Sequence, residues 1–170
     1  VDLAHVSPGT MSDALDVSEA PVMFSHSGAR ALVDHPRNVP DSILARMPKN
    51  GGVVMVPFVT AFTSRPVKAD DDALEAETAA ANRRHPNDRA AARAEVASWR
   101  AAHPRPKATI TDVADAIDHV RQVAGVDHVG IGSDFDGISE TVVGLEDVSK
   151  YPALFAELAC AIIIADEAQH

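Results

Sequence analysis

The stretch VMFSH (residues 22–26) is the clearest indication of the fold and of its site, because an apolar run typical of a strand ends there in a histidine, His26. A second stretch, VDLAH (1–5), ends the same way in His5, 21 positions earlier. A third, VDHVGIGSD (126–134), closes an alternating apolar run on Asp134. In barrels of alternating strands and helices, side chains at the C-terminal strand ends converge on one face, where catalytic groups sit. Two histidines and an aspartate converging there indicate a hydrolytic metal site.

Strands alternate with helices along the rest of the chain. We predict, in order, a helix over 10–19 capped by Thr10, a strand over 22–24, a helix over 40–47, a strand over 53–56 buried on both faces, a helix over 111–124 capped by Thr111 and ended by Gly125, and a last helix from Lys150 that stops near Leu158. This order predicts an α/β fold. A complete eight-stranded barrel needs typically about 250 residues, whereas this chain has 170. We therefore expect the second, C-terminal half of a (β/α)8 barrel.

The domain prediction is one partial domain over residues 1–170, made of the last four strand-helix units of the barrel. Residues 70–102 have a different composition, rich in Ala, Arg, Glu and Asp and without β-branched runs. Such a segment cannot fill the interior of a sheet, because its polar positions need solvent. We expect it to form one or two exposed helices, broken near Pro86, as an insertion outside the core.

Composition indicates a globular chain and excludes several classes of function. Apolar residues make up 46% and charged residues 24%, and no apolar stretch approaches the length of a membrane-spanning helix. The net charge of −10 disfavours nucleic acid as a partner, because there is no basic stripe to displace phosphate counterions. The single Cys160 excludes an internal disulfide and a multi-cysteine zinc site. Nothing in the sequence indicates a cellular location.

Five motifs in order carry a resemblance to a known family. They are DLAHVSPGTM (2–11), APVMFSHSGAR (20–30), RNVPD (37–41), GIGSDFDG (130–137) and GLEDVSKYP (144–152). Together they resemble the C-terminal half of the membrane dipeptidase family, also called renal dipeptidase. The resemblance implies a metal-dependent hydrolase, related to the amidohydrolases, on an eight-stranded (β/α) barrel that holds two zinc ions in the complete protein.

The resemblance also implies a role for each matching residue. His5 and His26 match histidines that bind zinc, and Arg37 matches the arginine that holds the free carboxylate of the substrate with its two-pronged guanidinium. Asp134 matches the aspartate that shuttles a proton between the attacking water and the leaving amine. The implied activity is hydrolysis of the peptide bond of dipeptides. Asp136, the second acid of the same motif, is expected to cap the following turn.

Other ligands of the family, namely a His-x-Asp pair and a metal-bridging glutamate, are expected in sequence that precedes Val1. The isolated chain is therefore expected to bind zinc weakly and to be inactive. The tail around 162–164 departs from the family pattern after Leu158. Two alternatives stay open: an amidohydrolase acting on another small amide, and a non-catalytic half-barrel that associates with a complementary half. The expected partners are a dipeptide and, if the chain oligomerises, a second copy in a homodimer.

Overall fold

A parallel β-sheet forms the centre of the computed structural model, which describes the backbone of residues 1–167 and the surroundings of side chains up to residue 160. Its three strands are β1 (Met23–Phe24), β2 (Val53–Pro57) and β3 (Val129–Ser133), which lie side by side in chain order. Residues 1–3 extend the sheet beyond β1, since Leu3 N donates to Met23 O at 2.8 Å. The predicted α/β fold with a parallel sheet is confirmed.

Within residues 1–167, eight α-helices connect and cover these strands. They are α1 (Pro8–Val17), α2 (Asp41–Leu44), α3 (Met47–Asn50), α4 (Thr60–Thr63), α5 (Arg65–Arg84), α6 (Arg89–Ala102), α7 (Ile110–Ala124) and α8 (Tyr151–Glu167). No helix of the part that the structure describes is both long enough and apolar enough to cross a membrane.

Both predicted helix caps are wrong by a few residues. Helix α1 begins at Pro8, and its cap is Ser7, whose hydroxyl accepts from the backbone N–H of Thr10. Proline suits the first turn of a helix because its missing N–H would have no partner there. Helix α7 is capped by Thr109, and the Asp112 carboxylate accepts in return from the Thr109 N–H at 2.7 Å. The prediction that Gly125 ends α7 is confirmed.

Three further boundaries differ from prediction. The helix expected over 40–47 is two short helices, α2 and α3. The run 126–133 opens with a 3-10 turn, so that β3 begins only at Val129. Helix α8 does not stop near Leu158 but continues to Glu167, although nothing is described of its side chains beyond residue 160.

The hydrophobic core lies between the sheet and the helices that pack on it. Strand β2 lies between its two neighbours, with Val54 and Val56 fully buried, whereas Val53 and Met55 are only partly buried and so differ from the prediction of complete burial. Each fully buried aliphatic or aromatic side chain contributes roughly 1.5–3 kcal/mol relative to exposure. The largest members are Phe24, Phe58, Met11, Leu44, Met47, Leu145 and Leu154.

Residues 70–102 form parts of the two longest helices before α7. Helices α5 and α6 pack on each other and are separated by a short turn that contains Pro86, as expected. Within 70–102, all of which the structure describes, only Ala81 and Ala92 are buried, and neither belongs to the main core. The segment is therefore helical and mostly exposed, as predicted from its composition. That it is an insertion stays a prediction.

Candidate active site

The two histidines face each other at the C-terminal ends of two neighbouring segments of the sheet. His5 Nε2 and His26 Nε2 are 2.9 Å apart, and the ring planes are inclined by 63°. His5 follows the extended segment at 1–3, and His26 follows β1, so the parallel pairing of these two segments brings the histidines together. Two ring nitrogens at this distance can share one proton or face one cation.

The C-terminal end of strand β3 lies at the same end of the sheet as the histidines, and a bulge at Gly132 precedes it. Ile131 pairs with Val56, but the next pair is Ser133 with Pro57, so Gly132 is the extra residue. A side chain at Gly132 would collide with the Ser25 carbonyl and would lie 2.8 Å from Met55 O. Strands two positions apart are separated by about 9.6 Å in a flat sheet. Although β2 lies between β1 and β3, the backbone at Gly132 comes much closer than this spacing to Ser25, which follows β1. Only a residue without a side chain fits there.

The bulge is followed by two strained residues. Ser133 has a φ of 34° and Asp134 a φ of 69°, and both are non-glycine residues in the left-handed region. Such conformations cost of order 1–3 kcal/mol each and concentrate at functional sites. Asp134 occupies the N-cap position of a 3-10 turn, Phe135–Gly137. The expectation that Asp136 caps this turn is wrong, because Asp136 lies inside it.

Asp2 connects the strand ends that carry the two histidines. Its Oδ1 accepts from the backbone N–H groups of Ala4 and Ser25, both at 3.1 Å, and its Oδ2 accepts from Ser25 Oγ at 2.5 Å. Burial alone would raise the pKa of Asp2. The hydrogen bonds from Ser25 and Ala4, together with the neighbouring His26, outweigh it and hold the pKa below its ordinary value. Asp2 is therefore a carboxylate at neutral pH.

Arg37 is hydrogen-bonded to the chain at the same end of the strands. Its Nε donates to Ala4 O at 2.7 Å, next in the chain to His5. Its guanidinium lies 5.3 Å from the centre of the Phe62 ring, within the range of a cation–π contact. The buried amide of Asn38 fixes this loop, since its Nδ2 donates to Phe62 O at 2.8 Å and its Oδ1 accepts from Gly28 N at 3.0 Å.

The Arg37 guanidinium carries a donor without an acceptor. Its Nη2 is buried and makes no hydrogen bond within the described part of the chain. Burial lowers the pKa of Arg37, whereas the negative charges of Asp134 and Asp2 oppose this effect. A buried cationic donor without a partner is costly, and an anionic acceptor would remove that cost.

The predicted site residues are therefore brought together in part. His5 and His26 are in contact, Arg37 is one hydrogen bond from the chain next to His5, and the charge of Asp134 acts on Arg37. Among the described residues, however, no group of three His, Cys, Asp or Glu side chains could hold a metal ion. Sequence reasoning missed Asp2 and Phe62.

A cluster of charged side chains joins helices α5 and α6 to the loop that follows β3. Arg100 Nη1 lies 2.8 Å from the carboxylate of Asp70, and Arg105 bonds both Asp70 and Asp71. Arg105 Nε also donates to Glu140 at 2.8 Å. Because Glu140 follows Asp134 in the same loop, the cluster links the start of α5 and the end of α6 to the chain beyond β3.

Comparison with known proteins gives consistent matches. The sequence model of the membrane dipeptidase family (peptidase family M19) matches residues 1–167. An uncharacterized dipeptidase of Schizosaccharomyces pombe is 45% identical over 163 residues, which are 96% of this chain and 29% of the relative. A dipeptidase of Claviceps purpurea is 41% identical over 158 residues, 93% of this chain and 28% of that protein.

Two solved structures agree. The probable dipeptidase PvdM from Pseudomonas aeruginosa superposes with a TM-score of 0.73 at 30% identity, over 94% of this chain and 44% of that one. A metallo peptidase from Rhodobacter sphaeroides, liganded with a phosphinate mimic of the dipeptide L-Ala-D-Ala, gives a TM-score of 0.66 at 27% identity, over 94% and 35%. The chain thus spans less than a third of the curated relatives and less than half of these structures.

Proposed function

Because this chain belongs to the membrane dipeptidase family, a family of metallopeptidases, we propose that it supplies part of the active site of a zinc-dependent dipeptidase. The observation that carries the proposal is the pair of histidines, His5 and His26, from two strand ends with Nε2 atoms 2.9 Å apart. Arg37 supports it, because its cationic donor beside this pair has no acceptor of its own within the described residues.

The histidine pair fits a zinc ion. Zinc binds histidine nitrogens at about 2.0–2.1 Å in tetrahedral geometry, which separates two such nitrogens by roughly 3.3 Å. The two Nε2 atoms need to move apart by only a few tenths of an ångström from 2.9 Å to meet this requirement. A bound zinc ion would lower the pKa of a water molecule and polarise the scissile carbonyl. We expect two ions in the complete protein, with the other ligands supplied from outside the described residues.

Arg37 anchors the substrate. A guanidinium presents its donors in a fixed fork that matches the two oxygens of a carboxylate. Nε is already used by Ala4 O, which leaves the Nη groups for the C-terminal carboxylate of a dipeptide. The packing of the guanidinium against Phe62 restricts its rotation. An anchor at a fixed distance from the histidines selects short peptides, because the scissile bond must lie next to the carboxylate-bearing residue.

Asp134 moves the proton. Its carboxylate accepts a proton from the attacking water and returns it to the leaving amine, the ordinary work of a general base and acid. The left-handed backbone at Ser133 and Asp134 directs the chain sharply at the end of β3. The negative charge of Asp134 and the positive charge of Arg37 stabilise each other while substrate is absent.

The chain represents half of a barrel. Strand β3 is at one edge of the sheet, and residues 1–3 are at the other. Beside β3 lies an apolar groove of about 410 Å³, lined by side chains that include Val129, Ile131 and Phe155. An exposed strand edge next to an apolar surface is normally covered in a stable fold. We propose that the further sequence of a longer, complete protein covers it and supplies the other zinc ligands, and that residues 1–170 alone are inactive.

The test is metal content and activity of the complete protein. We expect two zinc ions per chain and hydrolysis of dipeptides, but not of tripeptides. His26→Ala should lose zinc and activity, whereas His119→Ala, which removes a half-buried histidine paired with Asp41, should lose neither. Absence of zinc from the complete protein would contradict the proposal. Hydrolysis of acylated amino acids without dipeptides would instead support a general amidohydrolase.

A further inference from the structure

The hydroxyl of Ser25 stands between a carboxylate and a ring nitrogen of His26. Ser25 Oγ is 2.5 Å from Asp2 Oδ2 and 2.8 Å from His26 Nδ1. A hydroxyl has one hydrogen to donate, and an ionised carboxylate can only accept. The hydrogen of Ser25 therefore goes to Asp2. Toward His26, the hydroxyl can then only accept, so His26 Nδ1 carries the proton of the neutral ring.

We propose that Asp2 and Ser25 are a positioning pair that holds His26 in the Nδ1–H tautomer, with its Nε2 lone pair free for a metal ion. A metal-binding histidine usually donates its other N–H to a carboxylate, a carbonyl or a water molecule, which fixes its tautomer and raises its basicity. Here the acceptor is a serine hydroxyl that a carboxylate polarises.

The backbone contacts of Asp2 determine which oxygen faces Ser25. Oδ1 accepts from the N–H groups of Ala4 and Ser25, so Oδ2 is left for the Ser25 hydroxyl. Ala4 precedes His5, and Ser25 precedes His26. One carboxylate thus fixes both strand ends relative to each other, and the carboxylate itself is held by three hydrogen bonds.

The same reasoning assigns the tautomer of His5. If His26 Nε2 has the lone pair, then the 2.9 Å contact between the rings requires His5 Nε2 to be the donor. The two histidines therefore differ before metal binds: His26 is ready as a ligand, whereas His5 must give up its Nε2 proton. This inference rests on the proposed function for its purpose, but the tautomers are properties of the metal-free chain.

The first experiment is nitrogen-15 NMR of the imidazole rings in the complete protein after metal has been removed with a chelator, at an alkaline pH that keeps the rings neutral. The parent should show Nδ1–H at His26 and Nε2–H at His5. Asp2→Asn replaces the Oδ2 acceptor with an amide donor, which frees the Ser25 hydrogen for His26 Nδ1. His26 should then change to the Nε2–H form. Asp16→Asn, which alters an exposed aspartate paired with Arg46, is the matched control and should change neither ring.

The serine link gives a second pair of variants. Ser25→Ala should remove the tautomer preference of His26, and Ser25→Thr, which keeps the hydroxyl, should restore it. Should Asp2→Asn fail to fold, as judged from its amide spectrum, this pair decides. A parent His26 that carries its proton on Nε2, or a Ser25→Ala spectrum equal to that of the parent, would overturn the proposal.

Zinc affinity separates this inference from the proposed function. In the complete protein, Asp2→Asn and Ser25→Ala remove the hydrogen bonds that orient His26, so zinc binding should weaken by about 10–100-fold in both variants. Ser25→Thr, which keeps the hydroxyl, should bind zinc more tightly than Ser25→Ala, and Asp16→Asn should bind it as tightly as the parent. If the tautomers are as expected but the complete parent protein takes up no zinc, the proposed function fails while the positioning pair stands. If zinc binds but the tautomers are reversed, only the positioning pair fails.

Discussion

Replacing Arg37 with lysine tests whether this side chain holds the substrate carboxylate. Lysine keeps the positive charge and much of the length, but it has one ammonium in place of a planar fork. In the structure the donors of the guanidinium have different surroundings. Nε donates to Ala4 O, and Nη2 has no acceptor within the described residues. A lysine ammonium cannot bind the Ala4 carbonyl and both carboxylate oxygens in the same arrangement.

The size of the effect follows from the hydrogen bond to the substrate carboxylate that lysine cannot form. Losing one charge-assisted hydrogen bond costs about 1.5–3 kcal/mol. Each 1.36 kcal/mol corresponds to tenfold in rate, so kcat/KM for dipeptides should fall by about 10–150-fold in Arg37→Lys. The zinc content should not change, because Arg37 contacts the main chain of Ala4 and no proposed metal ligand.

The assay compares one dipeptide with its C-terminal amide in the complete protein. The parent should prefer the free carboxylate, and Arg37→Lys should lose most of that preference while its activity on the amide changes little. The melting temperature of both proteins is the control for folding. An Arg37→Lys protein that hydrolyses the free dipeptide at the parental kcat/KM would refute the carboxylate clamp. Equal losses on both substrates would show that Arg37 supports the site without touching the carboxylate.

Three other changes test separate parts of the site. Asp134→Asn should lower kcat by about 10²–10⁴-fold with zinc content unchanged, since proton transfer is lost, and a parallel loss of zinc would make Asp134 a ligand instead. Replacing residues 70–102 with a short linker should change KM or substrate length range and leave metal content intact, whereas a failure to fold would place the segment in the core. Arg100→Met should lower the melting temperature at pH 7 by about 2–4 °C, as for roughly 1 kcal/mol in a chain of this size. The hydrogen bond from Arg100 is the main cause that holds the pKa of Asp70 below its ordinary 3.8. The ion pair therefore stabilises the fold above pH 3.8 and is lost as the pH falls through the lower pKa of the folded state, so the part of the difference that the ion pair causes should disappear there. A difference from the parent that stays as large on acidification below pH 3.8 as it is at pH 7 would contradict this assignment.

The histidine pair could be predicted from the sequence because strand ends are easy to recognise. His5 and His26 each follow a short apolar run, and the C-terminal ends of parallel strands lie at the same end of the sheet. No knowledge of side-chain packing was needed for this step. The long helices were predictable for a similar reason, because their composition or apolar periodicity extends over many residues.

The contacts around these residues could not be predicted in the same way. Asp2 reaches Ser25 only because Asp2 pairs with Met23, a register that strands of two or three residues do not reveal. Phe62 lies under Arg37 from the four-residue helix α4, which is too short to leave a periodic signal. The bulge had one visible sign, a glycine inside a strand pattern at Gly132, but Gly130 in the same strand is regularly paired and marks no bulge.

The energetically unfavourable features of this fold are concentrated at the end of the sheet where the histidines meet. Ser133 and Asp134 are consecutive non-glycine residues with positive φ, and Arg37 Nη2 is a buried cationic donor without an acceptor in the described chain. Elsewhere the capping box of α7 and the apolar core follow ordinary rules. Strain and an unpartnered charge persist only where the surrounding structure enforces them, and they are expected where a site must accept a ligand. An anion bound at Arg37 would remove one of these costs on binding. The substrate carboxylate would then gain affinity from a defect that is already present in the free protein.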